Sequence, residues 1–145
     1  MQTIEVIGPK AGERVNVLGA EVTIKSHGDP AQMTFADHPI PPGYGVPMHV
    51  HQDEDELFYI LEGEVTLQTP DGELTAGPGC FVHAPRGAPH GFCNASEQPA
   101  RALVITSPGG ALDGVMRGLD AASKQGPLDL PKIGAITAAN RIRML

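Results

Sequence analysis

Residues 43–63 read GYGVPMHVHQDEDELFYILEG: two histidines one residue apart, an acidic turn, and a carboxylate that opens an apolar run. Side chains alternate sides along a strand, so His49 and His51 point the same way and can share one ion. After the turn, Glu56 starts the next strand, with Phe58, Ile60 and Glu62 on its side. A second stretch, GCFVHAPRGAPHGFCN at residues 79–94, brings His90 in after the turn from Pro85 to Gly87, with Phe92 and Asn94 sharing its face. Three imidazoles and one carboxylate suit a single divalent transition metal ion, whether iron, manganese, cobalt, nickel, copper or zinc. They suit calcium or magnesium poorly. Burying four ionisable groups without an ion between them would be costly. A one-residue change of register would make Asp55 the ligand in place of Glu56, although the apolar run LFYIL directly follows Glu56. Asp53, Glu54 and Asp55 otherwise read as a solvated turn. His27, His38 and His83 have no partner at ligand spacing and read as surface or hydrogen-bonded core residues.

At 145 residues the chain is expected to form one domain around one modest core. Its 18 glycines and 14 prolines are spread along it without a low-complexity block, as a fold of many short strands and turns requires. A formal charge of −7 argues against nucleic acid as a partner, because phosphate binding needs a basic face. The start MQTIEVIGPK lacks the charged and apolar regions of a signal peptide, and no stretch approaches the roughly 20 apolar residues that span a membrane. A cytoplasmic protein is expected, with no membrane partner. Cys80 and Cys93 are then expected to be free, buried thiols without a catalytic role.

Strands are expected at 15–18, 21–26, 32–39, 46–50, 57–61, 64–69, 79–84, 91–93 and 101–106. Hairpins are marked around Gly19 and Ala20, at Glu62 and Gly63, and at Pro70 to Gly72. So many short antiparallel strands call for two sheets folded over a shared interior. After residue 107 the pattern changes. Leu112, Val115, Met116 and Leu119 have the spacing of an amphipathic helix, weakened by Gly114 and Gly118. A second helix is expected from about Pro131 to Asn140, the two together covering the barrel mouth or an outer face.

The first stretch fits G-x5-H-x-H-x4-E-x6-G and the second G-x5-P-x-G-x2-H-x3-N with no departure. Together they resemble the paired motifs of the cupin superfamily. With the segment ITSPGGALDGVMRGL and a helical tail, the chain is similar to the single-domain cupins grouped with quercetin dioxygenase. The resemblance implies an all-β, double-stranded β-helix (jelly-roll) barrel at about 14–107 with short C-terminal helices at about 108–145, all of residues 1–145 forming one domain. It implies a metal held by His49, His51, Glu56 and His90, with Glu56 also the general base. The activity implied is a dioxygenase acting on a flavonol-like or other enol or aromatic small molecule. Met33, Phe35, Met48, Phe58, Ile60, Phe92 and Val104 are candidate pocket walls, and Tyr44 and Arg86 could reach the mouth. A metal-dependent isomerase or lyase of a small polar substrate and a non-catalytic binding module are alternatives. A regulator would need a DNA-binding segment that the sequence does not suggest. A homodimer is expected, through edge strands that could include TIEVI near the start.

Overall fold

The computed structural model describes residues 3–26 and 32–145. His27 lies outside the described residues. The chain runs β1 (Glu13–Val17), β2 (Ala20–Ile24), β3 (Thr34–Ile40), β4 (Gly45–His51), β5 (Asp55–Glu62), β6 (Val65–Thr69), β7 (Gly72–Ala76), β8 (Phe81–Ala84), β9 (His90–Cys93), β10 (Ala100–Ser107), α1 (Ala111–Ser123), α2 (Leu130–Ala139) and β11 (Ile142–Met144). Two antiparallel sheets form the jelly roll, one in the order β1-β2-β3-β10-β5-β8 and the other β11-β4-β9-β6-β7.

Alternation builds the core. In β3 the even-numbered residues Thr34, Ala36, His38 and Ile40 are buried, and in β10 Ala100, Ala102, Val104 and Thr106 are. The two strands pair with Thr106 opposite Thr34 and Ala102 opposite His38, so their inward sets meet on one face. Phe58 and Ile60 on β5 are fully enclosed. Each such side chain contributes about 1.5–3 kcal/mol by leaving water. The first hairpin turns on Leu18 and Gly19, both with positive φ, and the Gly19 N–H is capped by Asn16 Oδ1 at 2.8 Å. That is one residue earlier than the pattern suggested. The β6–β7 hairpin turns on Pro70 and Asp71, with Thr69 directly opposite Gly72.

The tail folds back over the barrel. Val115, Met116 and Leu119 of α1 are buried. The buried Asp113 accepts from Thr34 Oγ1 and from Arg117 Nη1, both at 2.9 Å, which pins α1 to β3. The glycines that weaken α1 let its partner approach: a Cβ at Gly118 would stand 2.8 Å from Ile136 Cγ2 on α2. The α2 N-terminus is capped by Asp129, which accepts from the Lys132 N–H at 2.9 Å. Beyond α2 the chain forms β11, a strand the sequence pattern did not suggest, paired antiparallel to β4. Cys80 and Cys93 are free thiols, but Cys80 is exposed and Cys93 half-buried rather than enclosed in the core. No helix among the described residues is long and apolar enough to cross a membrane.

Candidate metal centre

The two sheets contribute separately to one cluster. His49 and His51 on β4 and His90 on β9 come from the five-stranded sheet, and Glu56 on β5 comes from the six-stranded one. His49 and His90 are directly opposite in the β4–β9 ladder. Between the pairs Val46–Phe92 and His49–His90, β4 carries one residue more than β9, a bulge. The β9 residue facing that bulge is Gly91, where a Cβ would lie 2.8 Å from the Val46 carbonyl oxygen and 3.0 Å from the Met48 nitrogen. Only glycine lets the two backbones come so close at the ligand site.

All four side chains are buried, and one donor atom from each lies within 4.8 Å of the others. Glu56 Oε2 is 2.7 Å from His90 Nε2, 2.8 Å from His51 Nε2 and 3.8 Å from His49 Nε2. The opposite ring nitrogens fix the tautomers. His49 Nδ1 is 2.8 Å from the Pro47 carbonyl and His90 Nδ1 is 3.0 Å from the Ala88 carbonyl. His51 Nδ1 is 2.9 Å from Glu54 Oε1. Carbonyls and carboxylates accept, so each Nδ1 carries a hydrogen, and the nitrogen each ring turns inward is Nε2, a lone pair whenever the ring is neutral. His49 Nε2 and His51 Nε2 are 3.1 Å apart, a repulsive contact between lone pairs unless something positive lies between them. Bonds of about 2.1 Å at right angles put ligand atoms about 3 Å apart. The donor set and its outer hydrogen bonds thus fit a divalent transition ion.

The electrostatics agree. Burial opposes charge on Glu56, but the facing imidazoles override it and hold its carboxyl well below the usual range. Burial also works against a charged His51, yet the carboxylates of Glu56 and Glu54 push its pKa up to about 10. Without an ion, the cluster attracts protons. With one, the same negative charge attracts the ion.

Glu54 was missed in the sequence. The acidic turn divides its carboxylates: Asp53 pairs with Arg141, Asp55 with Arg86, and Glu54 turns inward, 1% exposed. Its Oε2 is buried without a hydrogen-bond partner. The alternation of a loop gives no phase, so nothing in QDED distinguished the inward carboxylate. Asp55, the other register's candidate ligand, accepts from the Arg86 backbone N–H at 3.0 Å and faces away from the cluster. His83 is exposed, 3.9 Å from Asp55 Oδ2.

A cavity of about 60 Å³ adjoins the ligands. Its walls are His49, His51 and Glu56 with Val46, Phe92 and Val104 from the barrel, Leu112, Val115, Met116 and Leu119 from α1, Ile133 and Thr137 from α2, Ile142 and Met144 from β11, and His38, Val17 and Leu18. The helical tail therefore packs over the mouth of the barrel. Of the candidate walls, Phe92 and Val104 line this space and Met33, Phe35, Met48, Phe58 and Ile60 do not. Phe58 and Ile60 share the phase of Glu56 but are sealed in the core, where the Phe58 ring packs edge-on to Phe92 at 5.4 Å. Phe35 is on the outer face of β3, out of phase with Thr34, Ala36 and His38. Met48 alternates with His49, and Met33 precedes β3 and is 47% exposed. Tyr44 does not reach the cavity; its hydroxyl donates to the Val17 carbonyl at 2.9 Å. Arg86 is held outside by Asp55. Asn94 braces a loop, donating to the Ile40 and Gln98 carbonyls at 2.8 and 2.7 Å.

The family model described as Cupin domain matches residues 38–106. A segment of 52 residues, 36% of this chain, is 36% identical to quercetin 2,3-dioxygenase of Bacillus subtilis, of which it spans only 15%. A sugar phosphate isomerase of the cupin superfamily from Silicibacter pomeroyi superposes with a TM-score of 0.64 at 23% identity, over 71% of this chain and 75% of that one. The polyketide cyclase RemF from Streptomyces resistomycificus also superposes with a TM-score of 0.64, at 25% identity, over 73% of this chain and 80% of that one.

Proposed function

Since the chain belongs to the cupin superfamily and gathers His49, His51, Glu56 and His90 into one buried cluster, we propose that it is a metal-dependent enzyme, a dioxygenase acting on a small, largely apolar enol. The observation that carries this reading is the largely apolar chamber lined by His49, His51 and Glu56. A divalent ion held by the four residues would supply Lewis acidity toward an enol oxygen and toward dioxygen. The protein's own part is to position and to exclude water. The three Nδ1 hydrogen bonds hold the imidazoles in one orientation, and Leu112, Met116 and Ile133 give the chamber an apolar wall that limits its contact with water. Glu56 takes a hydroxyl proton at its carboxylate, and its depressed pKa restricts this to a substrate whose own acidity is raised on binding.

Size narrows the substrate. An apolar cavity of about 150 Å³ holds benzene, and this chamber is about 60 Å³. That favours an enol of a few heavy atoms over a flavonol. No lysine or arginine lines the chamber, which disfavours a sugar phosphate. The apolar walls and the likeness to a polyketide cyclase favour an oxygen-independent cyclase, lyase or isomerase as the second reading. A binding module remains the non-catalytic reading. For assembly we propose a homodimer: Ile4 and Val6 are almost fully exposed, and residues 3–8 belong to no strand of either sheet. A monomer in sedimentation would overturn it.

The test is elemental analysis of protein purified without added metal, then oxygen uptake with small enols, catechols and one flavonol. Near-stoichiometric transition metal with substrate-dependent uptake supports the dioxygenase. Metal without uptake moves the assignment to the oxygen-independent reading. Absence of metal even after reconstitution overturns both, and wild-type occupancy in a His49→Ala, His51→Ala double variant would overturn the ligand assignment.

A further inference from the structure

The cavity contains a polar group that the metal reading does not use. His38 sits in β3 among the inward residues Thr34, Ala36 and Ile40, is 2% exposed, and lines the chamber without belonging to the ligand cluster. Its Nδ1 is 2.8 Å from the Pro39 carbonyl, which can only accept, so Nδ1 carries the hydrogen. Burial pulls its pKa below the ordinary 6.5 and keeps the ring neutral. Nε2 is then a lone pair, and no described residue offers it a donor. The ring is held edge-on by Tyr44 at 5.4 Å and Phe92 at 5.6 Å, and Tyr44 is itself tied to β1 through the Val17 carbonyl. An acceptor without a protein partner at the chamber wall is left free for a ligand, whereas Phe or Leu would fill the same space and offer none. Apart from the ligands, Thr137 is the other polar wall, and its hydroxyl donates to the Gly134 carbonyl at 3.1 Å.

We infer that His38 is a specificity-determining residue, whose Nε2 accepts a hydrogen bond from a hydroxyl group of a small substrate held at the same time by the metal centre. The substrate class is thereby narrowed to small uncharged molecules with two polar functions, an enolisable carbonyl or enol for the ion and a hydroxyl donor for His38. A carboxylate offers Nε2 no hydrogen at neutral pH and a phosphate monoester seldom does, so both are disfavoured at this position. The inference rests on the proposed metal centre and its chamber.

The test uses metal-reconstituted protein and two probes, hydroxyacetone and acetone, which differ by one hydroxyl. Binding is measured by calorimetric titration, and the His38 ring nitrogens are followed by long-range proton–nitrogen NMR. Hydroxyacetone should bind about fivefold to tenfold more tightly, the worth of one hydrogen bond, and should shift the Nε2 resonance while acetone does not. His38→Leu should remove the preference without lowering metal content, and His38→Gln, which keeps an acceptor, should retain part of it. Equal binding of the two probes, a preference that survives in His38→Leu, an unmoved Nε2 resonance, or no binding of either probe at tens of millimolar overturns the inference. Metal content measured on the same samples separates the outcomes: wild-type protein without metal refutes the metal centre, and metal-loaded protein indifferent to the hydroxyl refutes only the role of His38.

Discussion

Replacing Glu54 with glutamine removes one charge from beneath the metal centre with almost no change of shape. Glu54 Oε1 accepts from His51 Nδ1 at 2.9 Å, and an amide oxygen can take the same place, so the imidazole keeps its tautomer and its aim. What disappears is the negative charge that makes His51 a stronger donor. Carboxylate partners of ligand histidines are worth about tenfold to hundredfold in metal affinity, or about 1.4–2.8 kcal/mol. The upper half of that range is expected, because the pair is buried, with both side chains 2% exposed, and solvent does not screen it. Competition against a chromophoric chelator at neutral pH reads the change directly. Thermal unfolding of the metal-free variant controls for folding. An affinity within about twofold of the parent protein would refute the claim that Glu54 tunes the site, and would leave it as a buried carboxylate with no account.

Gly91→Ala should push β4 away from β9 at the bulge, destabilising the protein by about 1–3 kcal/mol and lowering Tm by several degrees in calorimetry, with metal retention reduced in parallel. The hydrogen-bonded pair between Arg101 and Asp37, both contacts at 2.7 Å, holds the Asp37 carboxyl below its ordinary 3.8 against the effect of burial. Its contribution is therefore complete above that value and is lost as pH falls through the lower folded pKa. Asp37→Asn should flatten this part of the acid limb in urea unfolding, by less than about 1 kcal/mol because Arg101 is substantially exposed. Ending the chain after Asn140 removes β11 and the pairing of Ile142 with His51 and Met144 with His49, so metal should leave faster in a chelator chase while far-ultraviolet circular dichroism keeps the β signature.

The candidate metal cluster was legible because its residues sit on strands, where a two-residue spacing states which side chains share a face. His49, His51 and Glu56 obey it. The walls were less legible, for two reasons seen at particular residues. The bulge between Val46 and His49 changes the phase of β4, so Val46 reaches the chamber from the side that simple alternation gives to Met48. In β3 the phase was open until Thr34, Ala36 and His38 were seen inside, which put Phe35 out and turned a histidine read as bland into a cavity wall. Glu54 was illegible for a third reason: consecutive carboxylates in a turn carry no periodicity, and only the position of His51 singles one out. The helices of the tail were visible in their apolar spacing, but the closure they make depends on glycines that looked like weaknesses in α1.

The pairing of β11 with β4 also sets an order of events during synthesis. The ligand strand leaves the ribosome early, while the strand that covers its free edge and two walls of the chamber comes after both helices. Until then β4 has an unsatisfied backbone edge beside its histidines, and the chamber lacks a side. A product interrupted before residue 142 would therefore carry all four residues of the candidate metal cluster but lack the strand that pairs with His49 and His51 and walls the chamber, so retention of any ion is expected to depend on β11 being made.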